Sequence, residues 1–243
     1  MRVVSLVPSV TETLLAWGVE PVACTRFCEQ PALAHVGGTK DPDVEAIVAL
    51  APDVVVMDEE ENRRDDADAL RAAGVDVHVT AVRSLGDVAL ALDALAARLA
   101  LSPSGVNNPS NPGVIYSSAP RRAVFVPIWR RPWMTVNAQT YGSTLLDAAG
   151  FANVFADAAD RYPEVTLDDA AGRGPDLVLA PSEPYPFGPK NTAELEAVAP
   201  VVLVDGRDLF WWGARTAAAL ERLADLYRST ERSPSRNPSM MRR

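Results

Sequence analysis

The chain has 243 residues, 48% of them hydrophobic and 23% charged, with a formal net charge of -9. That is length enough for one large core or two small ones, and the composition excludes wholesale disorder. The acidic balance repels phosphate backbones and argues against a nucleic-acid partner. Cys24 and Cys28 are too few for a disulfide scaffold or a zinc ribbon, and no apolar run approaches the ~20 residues that span a bilayer. The opening MRVVSLVPSVTE lacks the apolar core and small-residue cleavage site of a signal peptide, so the chain as written is expected in the cytoplasm.

Residues 3–7 are a short β-branched run, which predicts a buried parallel strand stopped by Pro8. Ser9-Val10-Thr11-Glu12 has the spacing of a capping box, with Ser9 capping a helix that carries Leu14, Leu15 and Trp17 and closes at Gly18. A second strand is expected at 22–25, a helix at 43–50 and a third buried strand at 54–57 with the acidic cluster Asp58, Glu59, Glu60 and Glu61 at its carboxyl end. A helix at 63–73 closed by Gly74 and a fourth strand at 75–80 complete the first half. From Ser84 a helix carries Leu85, Val88, Leu92, Leu95 and Leu99 as an apolar stripe. Residues 102–120 turn to Ser, Asn, Pro and Gly, a loop composition in which the run Val114-Ile115-Tyr116 reads as strand, lid or neither.

The same order then returns. AVFVP at 123–127 answers the first strand, STLLDAAG at 143–150 the first helix, GPDLVLA at 174–180 the third strand, and 201–205 the fourth. An offset of roughly 120–130 residues suits a duplicated lobe rather than a solenoid period. The organisation expected is an α/β lobe over 1–82, a linker helix and loop over 83–122, a second α/β lobe over 123–228, and a Ser/Arg/Pro-rich, disordered tail over 229–243.

Parallel sheets bind ligands beyond the carboxyl ends of their strands, and two such lobes joined by a helix can face each other across a cleft. In the first lobe those ends offer Ser9, Phe27, Cys28, Asp58, Glu59 and Glu60; in the second they offer Trp129, Trp133, Tyr185, Phe210 and Trp211. Aromatic residues on strand-end loops with a few polar groups suit a large, flat, partly apolar ligand. The competing reading is that the tryptophans pack the lobe against its own loops, the acidic run is solvated, and Ser9 only caps its helix, although a helix N-terminus also attracts anions.

VVSLVPSVTETLLAWG, GGTKDPDVEAIVALAPDVVVMDEEEN, FVPIWRRPWMTV, TYGSTLLDAAGFANVF and GPDLVLAPSEPY together resemble the helical-backbone metal receptor superfamily, the cobalamin- and siderophore-binding proteins of ABC importers, and within it the cobalamin-binding branch. The resemblance covers the chain except the linker and tail. It implies two Rossmann-like lobes bridged by a backbone helix with a metal chelate in the cleft, and cleft-lining roles for Thr25 to Glu29, the residues after Met57, Trp129 to Trp133, and Phe210 to Trp212. Members are usually periplasmic or lipid-anchored. Importer-coupled members carry a docking glutamate on each lobe; the matching positions here read Asn62-Arg63-Arg64 and Phe210-Trp211-Trp212-Gly213, with Glu61 and Asp65 beside the first.

No GxGxxG, GxxxxGK[ST] or GxSxG occurs, so the dinucleotide, P-loop and hydrolase-elbow readings fail. His78 falls inside a strand, and Cys24, Cys28 and His35 lack an evident fourth ligand for zinc. The expectation is a monomeric, non-enzymatic binding protein without an intrinsic cofactor or resident metal. Its ligand is cobalamin, another corrinoid or an iron chelate such as haem or a ferric siderophore, and an ABC permease is a partner if importer coupling holds. The alternatives are a cytoplasmic chelate-binding or sensing protein, and an enzyme using Glu59 to Glu61 as bases.

Overall fold

The computed structural model describes residues 1–101 and 120–231. The loop expected at 102–120, with the run Val114 to Tyr116, lies outside the described residues except for Pro120, and so does most of the expected tail. The described chain divides into two compact units. The first gathers residues 1–101 with Gln139–Gly142 and Asp205–Ala217; the second comprises 120–138, Ser143–Val204 and 218–231.

The first unit is built on a five-stranded sheet in the order β3-β2-β1-β4-β5. Its strands are β1 (Val3–Ser5), β2 (Ala23–Cys24), β3 (Ala34–His35), β4 (Val54–Asp58) and β5 (Val77–Thr80), all pairing in parallel. Strands β1 and β4 are buried along their whole length, which is why their sequences run apolar without alternation. Helices α1 (Pro8–Ala16), α2 (Val44–Ala49), α3 (Arg64–Ala72) and α4 (Asp87–Arg98) connect or follow the strands. Leu6, Ile47, Val55, Met57 and Leu70 meet in one core. Gly18 and Gly74 both hold positive φ after their helices, the left-handed closure their positions predict.

Three local expectations change. Strand β1 ends at Ser5 rather than at residue 7. Helix α1 starts at Pro8, with Val7 at the cap and no side-chain cap. The proline's fixed φ opens the helix without a capping box, so Ser9 lies buried within the first turn. Helix α4 starts at Asp87, whose carboxylate accepts from the Arg83 and Ser84 amides.

The second unit carries a four-stranded parallel sheet in the order β11-β10-β6-β9. These strands are β6 (Arg122–Phe125), β9 (Phe151–Asn153), β10 (Leu177–Pro181) and β11 (Val201–Val204). The order β9-β6-β10-β11 repeats β2-β1-β4-β5, so the duplication read from the sequence holds at the level of topology. An antiparallel pair is inserted after β6: β7 (Trp129–Arg130) with β8 (Trp133–Met134). Helices α5 (Tyr141–Ala148), α6 (Leu167–Gly172), α7 (Thr192–Leu195), α8 (Gly206–Phe210) and α9 (Thr216–Glu231) complete the described chain. Helix α9 continues through Ser229, where the tail was expected to begin. Among the described residues no helix is long and apolar enough to cross a membrane.

Candidate functional site

The strand ends of the first unit are joined by a compact polar net. The Thr11 hydroxyl lies 2.8 Å from Ser5 Oγ and 3.2 Å from Cys28 Sγ, and Thr25 Oγ1 lies 3.2 Å from the same thiol. Cys28 is therefore 2% exposed and supports the loop from beneath, while Phe27 beside it is 50% exposed, with the Arg26 guanidinium 4.8 Å from its ring centre. Burial, and then the neighbouring Cys28, pushes the Cys24 thiol up to about 12, so it stays protonated. His35 Nε2 lies 3.1 Å from the Gln30 carbonyl. His78 sits in β5, as its sequence position predicts, and burial lowers its pKa.

Around β4 a similar net forms. Asp58, 3% exposed, accepts from the Glu60 amide at 2.9 Å and from the Thr80 hydroxyl at 2.8 Å. Burial raises its pKa above the ordinary carboxylate value against the pull of those bonds. Asn62, at the expected docking position, is buried instead. Its amide donates to the carbonyls of Leu6 (3.2 Å) and Thr39 (2.9 Å), and its oxygen accepts from the Asp58 amide (2.8 Å). Glu59 pairs with Arg83, whose Nε lies 2.6 Å from its carboxylate. The Glu60 carbonyl accepts from Lys40. Of the acidic run, Asp58 thus belongs to the framework and Glu59 and Glu60 lie on the loop above it.

Phe210 and Trp211 read as second-lobe residues in the sequence, yet the segment that carries them, Asp205–Ala217, belongs to the first unit. The reason is a set of partners on α1. Arg215 forks onto Glu12 (Nε–Oε2 2.7 Å, Nη2–Oε1 2.9 Å) and reaches Asp208 at 3.1 Å. Its guanidinium stands 5.2 Å from the Trp211 ring centre. The Ala214 amide donates to the Thr13 hydroxyl at 3.1 Å. Gly213 holds φ +113, and a Cβ there would collide with that hydroxyl, so only glycine permits this approach. Arg207 adds a tie to Glu29 at 2.9 Å, linking α8 to the Phe27 loop. Sequence reading missed Glu12 and Arg215 as partners, because 203 positions separate them and neither stands in a motif for the pair.

In the second unit the strand ends carry rings. Trp129, 45% exposed, meets Tyr185 edge-on at 5.6 Å. Tyr185 lies 4.7 Å from Phe187, which stacks on Trp133 at 6.0 Å with 6° between planes. The structure thus brings Trp129, Tyr185 and Trp133 together and adds Phe187. That residue was legible in principle, since PSEPYPF sets it two positions beyond Tyr185. The β7–β8 pair presents a cavity of about 420 Å³ lined by Arg130, Arg131, Pro132, Trp133, Leu167 and Glu194. Arg130 Nε donates to Glu194 at 2.9 Å, and that hydrogen bond holds the Glu194 pKa below its ordinary value. Among the described residues no group of three or more His, Cys, Asp or Glu side chains is placed to hold a metal ion. Chemically, the exposed rings are surfaces on which a planar group can stack, and the arginines beside them are positive.

Residues 3–101 match the family described as periplasmic binding protein. Over 189 residues, 73% of this chain and 71% of the relative, the sequence is 25% identical to the vitamin B12-binding protein of Salmonella choleraesuis. Over 192 residues, 73% and 68% of the two chains, it is 26% identical to the vitamin B12-binding protein of Yersinia pestis. The periplasmic vitamin B12 binding protein of Vibrio cholerae shares the fold with a TM-score of 0.77 at 21% identity, over 96% of this chain and 98% of that one. A periplasmic heme-binding protein from Roseiflexus does so with a TM-score of 0.76 at 21% identity, over 94% and 98%. These findings correct the expected location: the matched family is described as periplasmic binding protein and the Vibrio and Roseiflexus relatives are periplasmic, which points to the periplasm rather than the cytoplasm. The expectation rested on the opening residues alone, and the folded body carries no mark of its compartment.

Proposed function

We propose a ligand class for this chain from its membership of the superfamily of cobalamin- and siderophore-type binding proteins, whose members bind a substrate rather than transform it. The ligand is a large planar metal chelate, bound as cargo. A cobalamin-like corrinoid is the first reading, because the curated relatives named above are vitamin B12-binding proteins. A haem-like chelate is the second, favoured by the heme-binding structural relative and by the arginines beside the rings.

The observation that carries the reading is the run Trp129, Tyr185, Phe187, Trp133. Four rings in contact, the outermost half-exposed, offer apolar faces to a flat ligand. Tryptophan fluorescence of the purified chain, titrated with cobalamin, cobinamide, haemin and a ferric siderophore, tests it. Saturable quenching by one of them at micromolar concentration or below, weakened in Trp129→Ala, is the expected result. Flat curves for all four remove the reading.

Delivery to an ABC permease belongs to the same proposal. Glu61 and Asp65 are exposed on either side of the buried Asn62 and are the acids nearest the expected docking position on the first unit. Stimulation of a cognate permease's ATPase that survives Glu61→Arg with Asp65→Arg would remove them from that role.

A further inference from the structure

The stretch GGTKDP at 37–42 is tied to two strand-end loops of the first unit. It closes on itself: Gly37 bridges Pro42, and the Gly38 amide donates to the Asp41 carbonyl at 3.2 Å. Towards the loop after β4, the Thr39 carbonyl accepts from Asn62 at 2.9 Å and Lys40 donates to the Glu60 carbonyl at 2.5 Å. Towards the loop after β2, the Gly37 carbonyl accepts from the Arg26 amide at 2.9 Å. The Arg26 side chain makes a second tie. Its Nη2 donates to both Asp41 carboxylate oxygens, at 3.0 and 3.1 Å, while the guanidinium stands 4.8 Å from the Phe27 ring centre. Gly38 is buried against that pair. A Cβ there would overlap Asp41 Oδ1 and lie 2.7 Å from Arg26 Nη2. The φ of Gly38 is not left-handed, so it is the close approach and not backbone freedom that asks for glycine.

We propose that Arg26 is a positioning residue for binding: held by Asp41 against the bare backbone of Gly38, its guanidinium fixes the stance of the half-exposed Phe27 ring. This rests on the chelate-binding reading and deepens it, because it says how the first unit sets its exposed ring. The competing use of Arg26, as partner of an acid on the ligand, is answered by Asp41, which already neutralises the guanidinium. As an ion pair the contact adds little stability, since both side chains are about half exposed. Its effect is geometric. A cation that lies over a ring and is anchored by its own partner restricts the orientations open to that ring. A ring restricted in advance loses less freedom when a planar group stacks on it.

The test has an arm without ligand and an arm with it, both on the full chain. Gly38→Ala is the sharpest variant: it deletes no charge, its backbone is one that alanine adopts, and the atoms its methyl meets are the ends of two side chains that can move away. By NMR, the Arg26 Nε–H resonance of the ligand-free wild type is expected to carry an upfield ring-current shift, assigned by its loss in Phe27→Ala. The shift should also be lost in Gly38→Ala and in Asp41→Asn, with urea midpoints unchanged. In the second arm cobalamin and haemin are titrated by tryptophan fluorescence. Phe27→Ala is expected to weaken the chelate that binds about tenfold, and Gly38→Ala about threefold, the worth of an exposed cation–ring contact. In the Phe27→Ala background Gly38→Ala should have no further effect. A ring-current shift that survives Gly38→Ala or Asp41→Asn overturns the proposal. So does a Gly38→Ala effect on affinity that is absent in the wild-type background or equal in both. Loss of the shift in both variants with neither chelate bound keeps the positioning of the ring and removes the chelate reading.

Discussion

In the first unit the buried residues at the carboxyl ends of β1, β2 and β4 are small and polar, and each is used by a neighbour: Ser5 and Cys28 by Thr11, Asp58 by Thr80, Asn62 by Leu6 and Thr39, with Phe27 the exposed ring among them. In the second unit the corresponding region after β6 and β10 carries Trp129, Trp133, Tyr185 and Phe187, which touch through their rings. The strand order is shared. A hydrogen-bonded net is directional, and a buried member left unpaired is costly, so it permits one geometry. Ring contacts tolerate sliding and leave faces open. The duplicated fold has thus been finished in two ways, one with a hydrogen-bonded net and the other with rings in contact.

The largest test of that contrast falls in the second unit. Phe187 is buried between Tyr185 and Trp133, while Trp129 lies at the exposed end of the same run. Phe187→Ala is expected to cost about 3–4 kcal/mol, the cost of emptying a buried aromatic site. Trp129→Ala is expected to cost no more than ~1 kcal/mol, in keeping with a half-exposed position. Urea denaturation of both variants measures it, and equal losses would show that the ring run is one rigid core with no free end.

In the first unit the comparable test is Arg215. Its side chain is 14% exposed and engages Glu12 and Asp208. Arg215→Ala removes the fork on Glu12 and one ion pair of Asp208, at about 2–3 kcal/mol given that Glu12 is partly solvated. A double-mutant cycle with Glu12→Gln should show coupling of ~1 kcal/mol or more. Additive effects would mean that the fork does not hold the Phe210–Trp211 segment. Asn62→Ala comes next, at about 2 kcal/mol, because it leaves the buried Leu6 carbonyl, the half-buried Thr39 carbonyl and the Asp58 amide to find other partners; a loss within ~0.5 kcal/mol, the usual surface value, would return Asn62 to the role of a loop residue.

How much of this could be read beforehand follows the reach of each interaction. Val3 to Ser5, Val54 to Asp58 and Leu177 to Pro181 were legible because burial on both faces writes itself as an unbroken apolar run. Gly18 and Gly74 were legible because a left-handed closure asks for glycine locally. The aromatic loops were legible as chemistry, since Trp129, Trp133 and Tyr185 stand beyond strand ends. Two-residue strands such as Ala34–His35 leave no period to detect. Partners such as Arg130 with Glu194, 64 positions apart, are chosen by the fold and not by spacing. The same limit put Phe210 and Trp211 with the wrong half: chain order follows β11, whereas the fork to Glu12 attaches the segment to α1.

The smallest effect sharpens the contrast most, because it asks whether the first unit's net needs charge at all. Burial holds the Asp58 carboxyl above its ordinary pKa of 3.8 in the folded chain. A raised acid is favoured by folding when protonated, so its contribution is fully present below the unfolded value and is lost as pH rises through the folded one. Asp58→Asn keeps an oxygen for the Glu60 amide. Its new amide can donate to the Thr80 hydroxyl, which in turn has the Met57 carbonyl as an acceptor at 3.1 Å. The variant should therefore match the wild type at the acid end of the range and gain on it as pH is raised above the ordinary carboxylate value of 3.8. Thermal unfolding of both chains across that range decides it. A variant that instead loses stability as pH rises would mean that the ionised carboxylate is what the Glu60 amide and Thr80 hydroxyl are arranged to hold, and the first unit's strand ends would then be an electrostatic site rather than a neutral framework.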